Sequence, residues 1–236
     1  VLDPFAVFQN LMAVSPNPFS AFYRQEDKFL LCASPERFLA KRGSRLISQP
    51  IKGTIRRDLA DRQQDQRLKE ALRLSAKEQS ENVMVVDLVR NDLTRVCKPA
   101  SVTVDELFGI YSFPQVHQMI STVSGEIQEG VLFSNILQAT FPMGSMTGAP
   151  KRRVMQLIDA YEPSARGLFS GSVGYKTPGG DFDFNVVIRS ILYNQSNQYL
   201  SYLVGSGITF YCDAEQEWEE CMLKAEAIKK VLSASG

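Results

Sequence analysis

The sequence places strand-like runs one directly after another, with only short polar turns between them. FSAFYR (19–24) and KFLLCA (28–33) are rich in apolar and aromatic residues, and Gln25, Glu26 and Asp27 separate them. Two such runs joined by a short turn predict a β-hairpin, in which the strands are antiparallel. A doubly wound parallel sheet would need a helix between consecutive strands. The pattern therefore predicts an α+β fold with antiparallel sheets.

Helices are predicted at intervals between the strands, because several segments show helical periodicity or a helix-start signal. Asp3 and Pro4 form an N-cap and first-turn signature. The predicted helices cover approximately 4–13, 58–89, 131–141, 150–161 and 214–232. Long strands are predicted for 115–127, 169–177, 182–194 and 198–210.

Composition limits the kinds of partner that the chain can have. Its 236 residues are 44% hydrophobic, which is enough for a sizeable core, and we expect a single domain. The 26 basic residues balance the 26 acidic ones, so no broad electrostatic field attracts nucleic acid or an anionic membrane. An anionic ligand must therefore be held by a local site.

The cysteines and the absence of long apolar runs bear on location. Cys32, Cys97, Cys212 and Cys221 are scattered, without the Cys and His spacing of a zinc site. We expect reduced thiols in a cytoplasmic protein. No apolar run approaches the ~20 residues that cross a bilayer, and no signal peptide is evident.

Two predicted helices each carry a pair of glutamates three residues apart. Glu78 and Glu81 form one pair, and Glu217 and Glu220 form the other. This spacing puts both carboxylates of a pair on one helix face, where oxygen ligands suit Mg²⁺. The alternative is an ordinary exposed salt bridge, since Glu220 and Lys224 have the favourable i, i+4 order.

Lys52 lies in PIKGT (50–54), where a proline and a glycine predict a change of chain direction. A lysine acts as a nucleophile only when burial or neighbouring cations lower its usual pKa of ~10.4. A tight loop could press Lys52 into such a pocket. Taken alone, the spacing favours a solvated loop lysine.

Several polar or glycine positions interrupt apolar segments. Arg189 lies in VVIRS, where its charge needs a carboxylate from either an internal glutamate or a substrate. The glycines of VGSGI (204–208) permit close approach of a ligand, although a β-bulge explains them equally well. GSMTGAPK (144–151) lacks Walker A spacing but leads into a predicted helix N-terminus, whose N–H groups could face an anion. An ordinary capped helix entry explains this segment at least as well.

One histidine and one further glutamate complete the candidates. His117 is the sole histidine, so any histidine-dependent acid or base step falls to it. A hydrogen-bonded structural histidine is the alternative. Glu36 in SPERF follows Pro35 at a predicted turn, and taken alone it is expected to be a surface carboxylate.

These motifs occur in one order along nearly the whole chain: SPERF, PIKGT, ENVMVVDLVRND, FPQVH, FPMGSMTGAPK, GSVGY, VVIRS, VGSGI and EWEECMLKA. In that order they resemble the chorismate-utilising enzymes. The resemblance implies one chorismate-binding domain over residues 1–236, in which two packed, largely antiparallel sheets are flanked by helices. It also implies that the family's N-terminal region is absent from this sequence.

The resemblance implies a role for each matching residue. It implies that Glu81 and Glu220 bind Mg²⁺, that the Mg²⁺ binds the ring carboxylate of chorismate, and that Glu78 and Glu217 support the metal region. The implied substrate-binding residues are Ser145, Thr147, Tyr175, Arg189, Gly205, Ser206, Gly207 and Lys224. The implied catalytic residues are Lys52, Glu36 as general acid, and His117 against the ring.

Position 52 separates two subfamilies that the chain resembles. Anthranilate synthases typically carry PIAGT, whereas aminodeoxychorismate synthases carry PIKGT, as here. The resemblance thus implies that Lys52 forms a covalent adduct and that the product is 4-amino-4-deoxychorismate, for para-aminobenzoate and folate biosynthesis. Two alternatives stay open: an anthranilate synthase component I with lysine at this position, and a non-catalytic chorismate-binding remnant.

The resemblance also implies a protein partner. In this family, ammonia comes from a separate glutamine amidotransferase subunit. No cysteine of the chain lies in a Gly-Cys-Gly nucleophile turn. We therefore expect a glutaminase partner in addition to chorismate.

Overall fold

The first helix begins where the sequence predicts it. The computed structural model of the chain describes residues 2–210 and 212–234. The Asp3 carboxylate accepts hydrogen bonds from the N–H groups of Phe5 (3.0 Å) and Ala6 (3.3 Å), and Pro4 takes the first helical position. Helix α1 is therefore Pro4–Val14.

Within the described ranges the chain forms six α-helices and eleven β-strands. The remaining helices are α2 (Arg62–Leu74), α3 (Ala76–Thr94), α4 (Phe133–Thr140), α5 (Lys151–Tyr161) and α6 (Ala214–Ala234). The strands are β1 (Phe19–Gln25), β2 (Lys28–Ser34), β3 (Arg37–Arg42), β4 (Arg45–Gln49), β5 (Ile51–Arg56), β6 (Thr103–Ser112), β7 (Val116–Glu126), β8 (Gly174–Lys176), β9 (Phe182–Asn185), β10 (Ser190–Asn194) and β11 (Tyr199–Tyr202). One 3₁₀ turn, Gly144–Met146, lies between α4 and α5.

The elements group into two compact units. The first contains the described residues up to Pro35, Arg166–Gly174 and the described residues from Asn185 onward. Its antiparallel sheet has the strand order β1-β2-β10-β11. Helices α1 and α6 pack on this sheet through a buried cluster of Val7, Leu11, Phe29, Leu31, Ala33, Ile191, Tyr193, Ile228 and Val231.

The second unit contains Glu36–Ala165 and Tyr175–Phe184. Its sheet has seven strands in the order β5-β7-β4-β3-β9-β8, and β6 also pairs with β7. Helix α3 packs against β5 and β7, with Val85, Val86 and Val89 buried. The long strand β7 thus pairs with three strands, β4, β5 and β6, and lies beneath a helix.

The α+β fold with two largely antiparallel sheets is confirmed. The single-domain assignment over residues 1–236 stays a prediction. The helix predicted over 58–89 is two helices, because Ser75 ends α2 and its hydroxyl accepts from the Glu78 N–H (3.4 Å) to cap α3. Strand β6 was not predicted.

The three long strands predicted near the C-terminal end are shorter in the structure. Only 174–176 of the run 169–177 is a strand, and the run 198–210 is a strand over Tyr199–Tyr202. The run 182–194 breaks between β9 and β10, where Arg189 has a φ of +52°. A non-glycine residue with positive φ interrupts the extended backbone, so the strand prediction fails there.

Candidate functional site

Lys52 lies on a strand and not in the solvated loop that its spacing favoured. Strand β5 pairs with β7 so that Ile51 faces Ile120 and Thr54 faces Gln118, which leaves Lys52 and Gly53 opposite one residue. This two-against-one count is a β-bulge. The Lys52 Nζ lies 3.5 Å from the Glu81 Oε2 of α3, and these side chains are 21% and 14% exposed. The bulge therefore turns Lys52 towards a half-buried carboxylate.

Gly53 makes this bulge possible. Its φ is +91°, and a Cβ placed there would lie 3.1 Å from both Glu78 Oε2 and Leu72 Cδ1. A larger residue would be strained by its backbone conformation and crowded by its neighbours. The glycine thus lets the backbone beside Lys52 approach the first glutamate of the α3 pair.

Glu36 is buried, at 6% exposure, so the expectation of a surface carboxylate is wrong. It lies between β2 and β3 and lines a cavity of about 20 Å³. The neighbouring Arg37 binds both carboxylate oxygens of Asp183, at 2.9 and 3.0 Å, and donates to the Gln49 Oε1 at 2.5 Å. These bonds fix the backbone next to Glu36.

The loop between α4 and α5 brings one predicted residue to that cavity. Ser145, in the 3₁₀ turn, lines it together with Glu36. The Thr147 hydroxyl donates to the Met143 carbonyl (3.0 Å) and so holds the loop. Tyr175, on β8, is 59% exposed.

His117 is buried on β7 with both ring nitrogens engaged. Its Nε2 lies 3.0 Å from the Asp65 Oδ1, its Nδ1 lies 2.9 Å from the Ser112 Oγ, and the residue is 1% exposed. Arg57 approaches the same carboxylate at 2.8 Å and, with the His117 contact, lowers the pKa of Asp65 to about 2. This geometry supports the alternative of a hydrogen-bonded structural histidine.

In the other unit, α6 and the VGSGI segment bring five predicted residues together. The Lys224 Nζ donates to the Gly205 carbonyl (2.9 Å) and pairs with the Glu220 Oε1 (2.6 Å). The Ser206 hydroxyl donates to the Glu217 carboxylate, and Glu217 is 5% exposed. The expected i, i+4 salt bridge is confirmed, and the same lysine also binds a glycine carbonyl.

Gly207 and Arg189 also belong to this unit. Gly207 lies in the non-strand segment after β11 and is half-buried. Arg189 is half-buried at the bend before β10, and its carbonyl accepts from the Ala33 N–H (3.3 Å). The arginine is therefore held by its backbone at the end of β2 and not within a continuous strand.

The donor chemistry of the four glutamates fits Mg²⁺. Each pair offers carboxylate oxygens on one helix, and Mg²⁺ is usually bound through one or two carboxylates, water and substrate oxygens. Among residues 2–210 and 212–234, no three His, Cys, Asp or Glu side chains form a group that could hold a metal.

Two buried acidic residues were missed by the sequence analysis. Asp65 and Asp92 are 9% and 3% exposed. Asp92 pairs with Lys151 at 2.5 Å, and burial raises the pKa of Asp92. For Asp92 the sequence does contain a signal of burial. Asp92 follows Val85 by seven residues and Val89 by three, so all three lie on the buried face of α3.

Two further observations bear on location and reactivity. No helix in the described part of the chain is long and apolar enough to cross a bilayer. The four cysteines, all within that part, are free, and burial raises the pKa of Cys97 to about 11. The cytoplasmic location stays a prediction.

Comparison with known proteins gives consistent matches. A family model described as chorismate binding enzyme matches residues 1–230. Aminodeoxychorismate synthase component 1 of Salmonella typhimurium is 40% identical over 226 residues, which are 96% of this chain and 49% of that protein. The chloroplastic aminodeoxychorismate synthase of Arabidopsis thaliana is 41% identical over 228 residues, which are 95% and 24% of the two chains.

A solved structure matches as well. The crystal structure of anthranilate synthase component I from Streptococcus pneumoniae has a TM-score of 0.85 and 30% sequence identity, over 96% of this chain and 49% of that one. The chain thus spans about half the length of the two component proteins, and about a quarter of the plant relative.

Proposed function

The chain belongs to the family of chorismate-binding enzymes, and from this membership we propose that it is the chorismate-aminating part of an aminodeoxychorismate synthase. The observation that carries the proposal is the half-buried Lys52, which a bulge of β5 directs towards Glu81 at 3.5 Å. An anthranilate synthase that adds ammonia directly to the ring has no need of an amine at this position.

Lys52 is proposed as the nucleophile. Its neutral amine attacks the ring carbon beside the carboxylate-bearing carbon, and the ring electrons shift to expel the hydroxyl across the ring. Glu36 protonates that hydroxyl, which leaves as water. Ammonia then forms a bond to the vacated carbon, the electrons shift back, and the bond to Lys52 breaks to restore its amine.

The proposed substrate-binding residues form two groups, one in each unit. In the same unit as Lys52, Ser145, Thr147 and Tyr175 are proposed to line the chorismate site, and His117 to support it. In the other unit, Arg189 and the backbone of Gly205, Ser206 and Gly207 are proposed to hold the enolpyruvyl carboxylate. Lys224, which already binds the Gly205 carbonyl, adds positive charge to that segment.

Glu81 and Glu220 are the proposed ligands of Mg²⁺, with Glu78 and Glu217 in support. When bound, Mg²⁺ neutralises the ring carboxylate and so makes the ring a better electron acceptor. The burial of Glu217 and its bond from Ser206 hold one of these carboxylates in a fixed orientation.

A glutamine amidotransferase is the proposed source of ammonia. The Salmonella relative is named component 1, a name that implies a second component. Burial raises the pKa of Cys32 and Cys97, so both remain thiols near neutral pH and are poor nucleophiles for glutamine hydrolysis. We propose that the reaction takes place in the cytoplasm.

Product identification tests the proposal. The chain is incubated with chorismate, Mg²⁺ and an ammonium salt at alkaline pH, and the product is identified by mass and fluorescence. We expect 4-amino-4-deoxychorismate. Anthranilate would overturn the proposal in favour of the second candidate, which the solved anthranilate synthase structure supports. If neither this chain nor a longer form of the protein gives any product, the chain is a non-catalytic remnant.

A further inference from the structure

The ion pair of Asp92 and Lys151 joins helix α3 to the first residue of α5. The Lys151 Nζ lies 2.5 Å from the Asp92 Oδ2, and the two side chains are 19% and 4% exposed. A carboxylate so far removed from water is costly unless it is paired, and loss of its partner leaves a buried charge. The pair is therefore a strong constraint on where α5 begins.

Residues 141–150, here called the site loop, connect α4 to α5 and include Ser145 and Thr147. The N–H of Thr147 donates to the Gly144 carbonyl at 3.2 Å, and the Thr147 hydroxyl donates to the Met143 carbonyl at 3.0 Å. Because these hydrogen bonds are internal to the site loop, they set its shape but not its position on the rest of the unit. That position depends on contacts with neighbouring elements.

Two contacts hold the site loop and its continuation into α5 against α3. A Cβ placed on Gly144 would lie 3.0 Å from the Leu88 Cβ, so the loop backbone touches the helix at this point. Lys151, directly after the site loop, reaches Asp92 one helical turn further along α3. The ion pair therefore acts at the same end of α3 as the loop backbone.

Helix α5 supplies little hydrophobic anchorage of its own. None of its 11 residues, all of which the structure describes, is buried. Pro150 at its N-cap supplies no side-chain hydrogen bond. Most helices in proteins are stabilised by burial of an apolar face. Helix α5 therefore depends more than most on a polar anchor such as the Lys151 side chain.

Helix α3 links this anchor to the proposed metal ligand Glu81. Leu88 follows Glu81 by seven residues and Asp92 follows Leu88 by four, so all three lie on one helix face. At a rise of ~1.5 Å per residue, Glu81 and Asp92 are about 16.5 Å apart along the helix axis. A site loop that is fixed to α3 near Asp92 is therefore held at a set distance from Glu81 and from Lys52, which pairs with it.

We propose that Asp92 and Lys151 are positioning residues: their ion pair fixes the site loop on α3. With the loop held there, Ser145 and Thr147 stay within reach of a chorismate molecule bound beside Lys52. This inference rests on the proposed function, which assigns chorismate to this unit. Neither member of the ion pair needs to touch the substrate for this effect.

Hydrogen–deuterium exchange of the site loop tests the anchor without turnover. The double variant Asp92→Asn with Lys151→Met removes both charges and so leaves no unpaired buried charge. We expect amides of residues 141–150 to exchange about tenfold faster, the effect of losing one hydrogen bond between charged groups. Peptides from α3 should exchange as in the wild type, which shows that the variant is folded. Unchanged exchange in the site loop overturns the inference.

Three further variants separate the anchor from other effects on α5. Lys151→Arg keeps the positive charge and should keep the wild-type exchange of the site loop. Lys151→Met alone should speed this exchange, and it should still fold, because burial raises the pKa of Asp92 and favours its neutral form once the lysine is gone. Arg153→Met removes a charge from the same helical turn, at an exposed position where Arg153 donates to Gln156 at 3.3 Å, and should change nothing. Equal exchange in Arg153→Met and Lys151→Met would overturn the inference.

The steady-state constants for chorismate supply the functional readout. At a saturating concentration of an ammonium salt, the double variant should show a KM for chorismate about tenfold above that of the wild type, with little change in kcat, because a displaced loop weakens substrate binding. Lys151→Arg should keep the wild-type KM. A lower kcat with an unchanged KM indicates only a smaller folded fraction and overturns the inference.

The two readouts also distinguish failure of the anchor from failure of the proposed function. If the wild-type chain makes no 4-amino-4-deoxychorismate but site-loop exchange still rises in the double variant, the proposed function fails and the anchor stands. If product forms and neither the exchange nor the KM responds, the anchor fails and the proposed function stands.

Discussion

At the scale of single residues, the site is organised by pairs of opposite charges that are partly removed from water. Lys52 with Glu81 and Lys151 with Asp92 are both pairs between a lysine and a carboxylate of α3. The first lies at 3.5 Å and the second at 2.5 Å. The longer pair leaves the Lys52 amine less firmly held, as its proposed role as nucleophile requires.

The Asp65 carboxylate makes folding stability depend on acid pH. Its pKa is about 2 in the folded chain, because Arg57 and His117 bind the charged form, whereas an unfolded Asp titrates near ~3.9. Its contribution is therefore fully present above the unfolded pKa and is lost as pH falls towards about 2. We expect the free energy of unfolding in urea to fall across this window, and to fall less in Asp65→Asn.

Asp87→Asn is the matched control for this measurement. Asp87 is 63% exposed and has one ion pair, with Arg90 at 2.9 Å. Its replacement should leave the acid slope of stability as it is in the wild type. An Asp65→Asn protein whose slope equals that of the control would contradict the assignment of acid sensitivity to the Asp65 network.

Single residues also mark the limit of what the sequence predicts. Residue type and order predict Lys52, Glu81, Glu220 and Lys224 as site residues, which stays a prediction, and both predicted i, i+3 glutamate pairs do lie on helices. The burial of Glu36 could not be predicted from the sequence, because this burial depends on how β3 and the 144–146 turn pack around the Glu36 side chain. The helical spacing of Asp92 from Val85 and Val89 does indicate its burial, but its partner Lys151, 59 residues away, could not be predicted.

At the scale of elements, the bulge in β5 couples the local backbone to the candidate site. Gly53 has a positive φ and abuts Glu78 and Leu72. We expect Gly53→Ala to lower the free energy of unfolding by about 1 kcal/mol for the backbone conformation, and by a further ~1–3 kcal/mol for crowding. Urea unfolding and the rate of chorismate amination would both report the change.

Gly130→Ala is the control for the backbone part of this effect. Gly130 has a φ of +78°, but nothing lies within 4 Å of a Cβ at that position. The Gly130→Ala variant should therefore lose only the backbone contribution to the free energy of unfolding and keep the wild-type rate of chorismate amination. Equal losses in the two variants would show that the contact with Glu78 and Leu72 does not matter.

The elements also show which sequence patterns were misleading. The hairpin of β1 and β2 was predicted because two apolar runs flank a polar turn, and its pairing from Phe19 to Gln25 is regular. The run 182–194 was predicted as one strand because apolar and aromatic residues predominate in it. It divides because its two ends belong to different sheets, a tertiary constraint that strand propensity does not contain.

At the scale of the whole molecule, the source of nitrogen distinguishes a subunit from a self-sufficient enzyme. We expect this chain to aminate chorismate with an ammonium salt but not with glutamine, since a separate amidotransferase is the proposed donor. The rate of product formation with each nitrogen source measures this. Product formed from glutamine by the purified chain alone would contradict the partner proposal.

The covalent role of Lys52 is the central claim, and mass spectrometry of the protein tests it most directly. The chain is mixed with chorismate and Mg²⁺ in the absence of ammonia, quenched and digested. We predict that the peptide containing Lys52 gains the mass of chorismate less one water, and that ammonium removes this added mass. No adduct on Lys52, together with full-rate formation of 4-amino-4-deoxychorismate by Lys52→Ala, would contradict the claim.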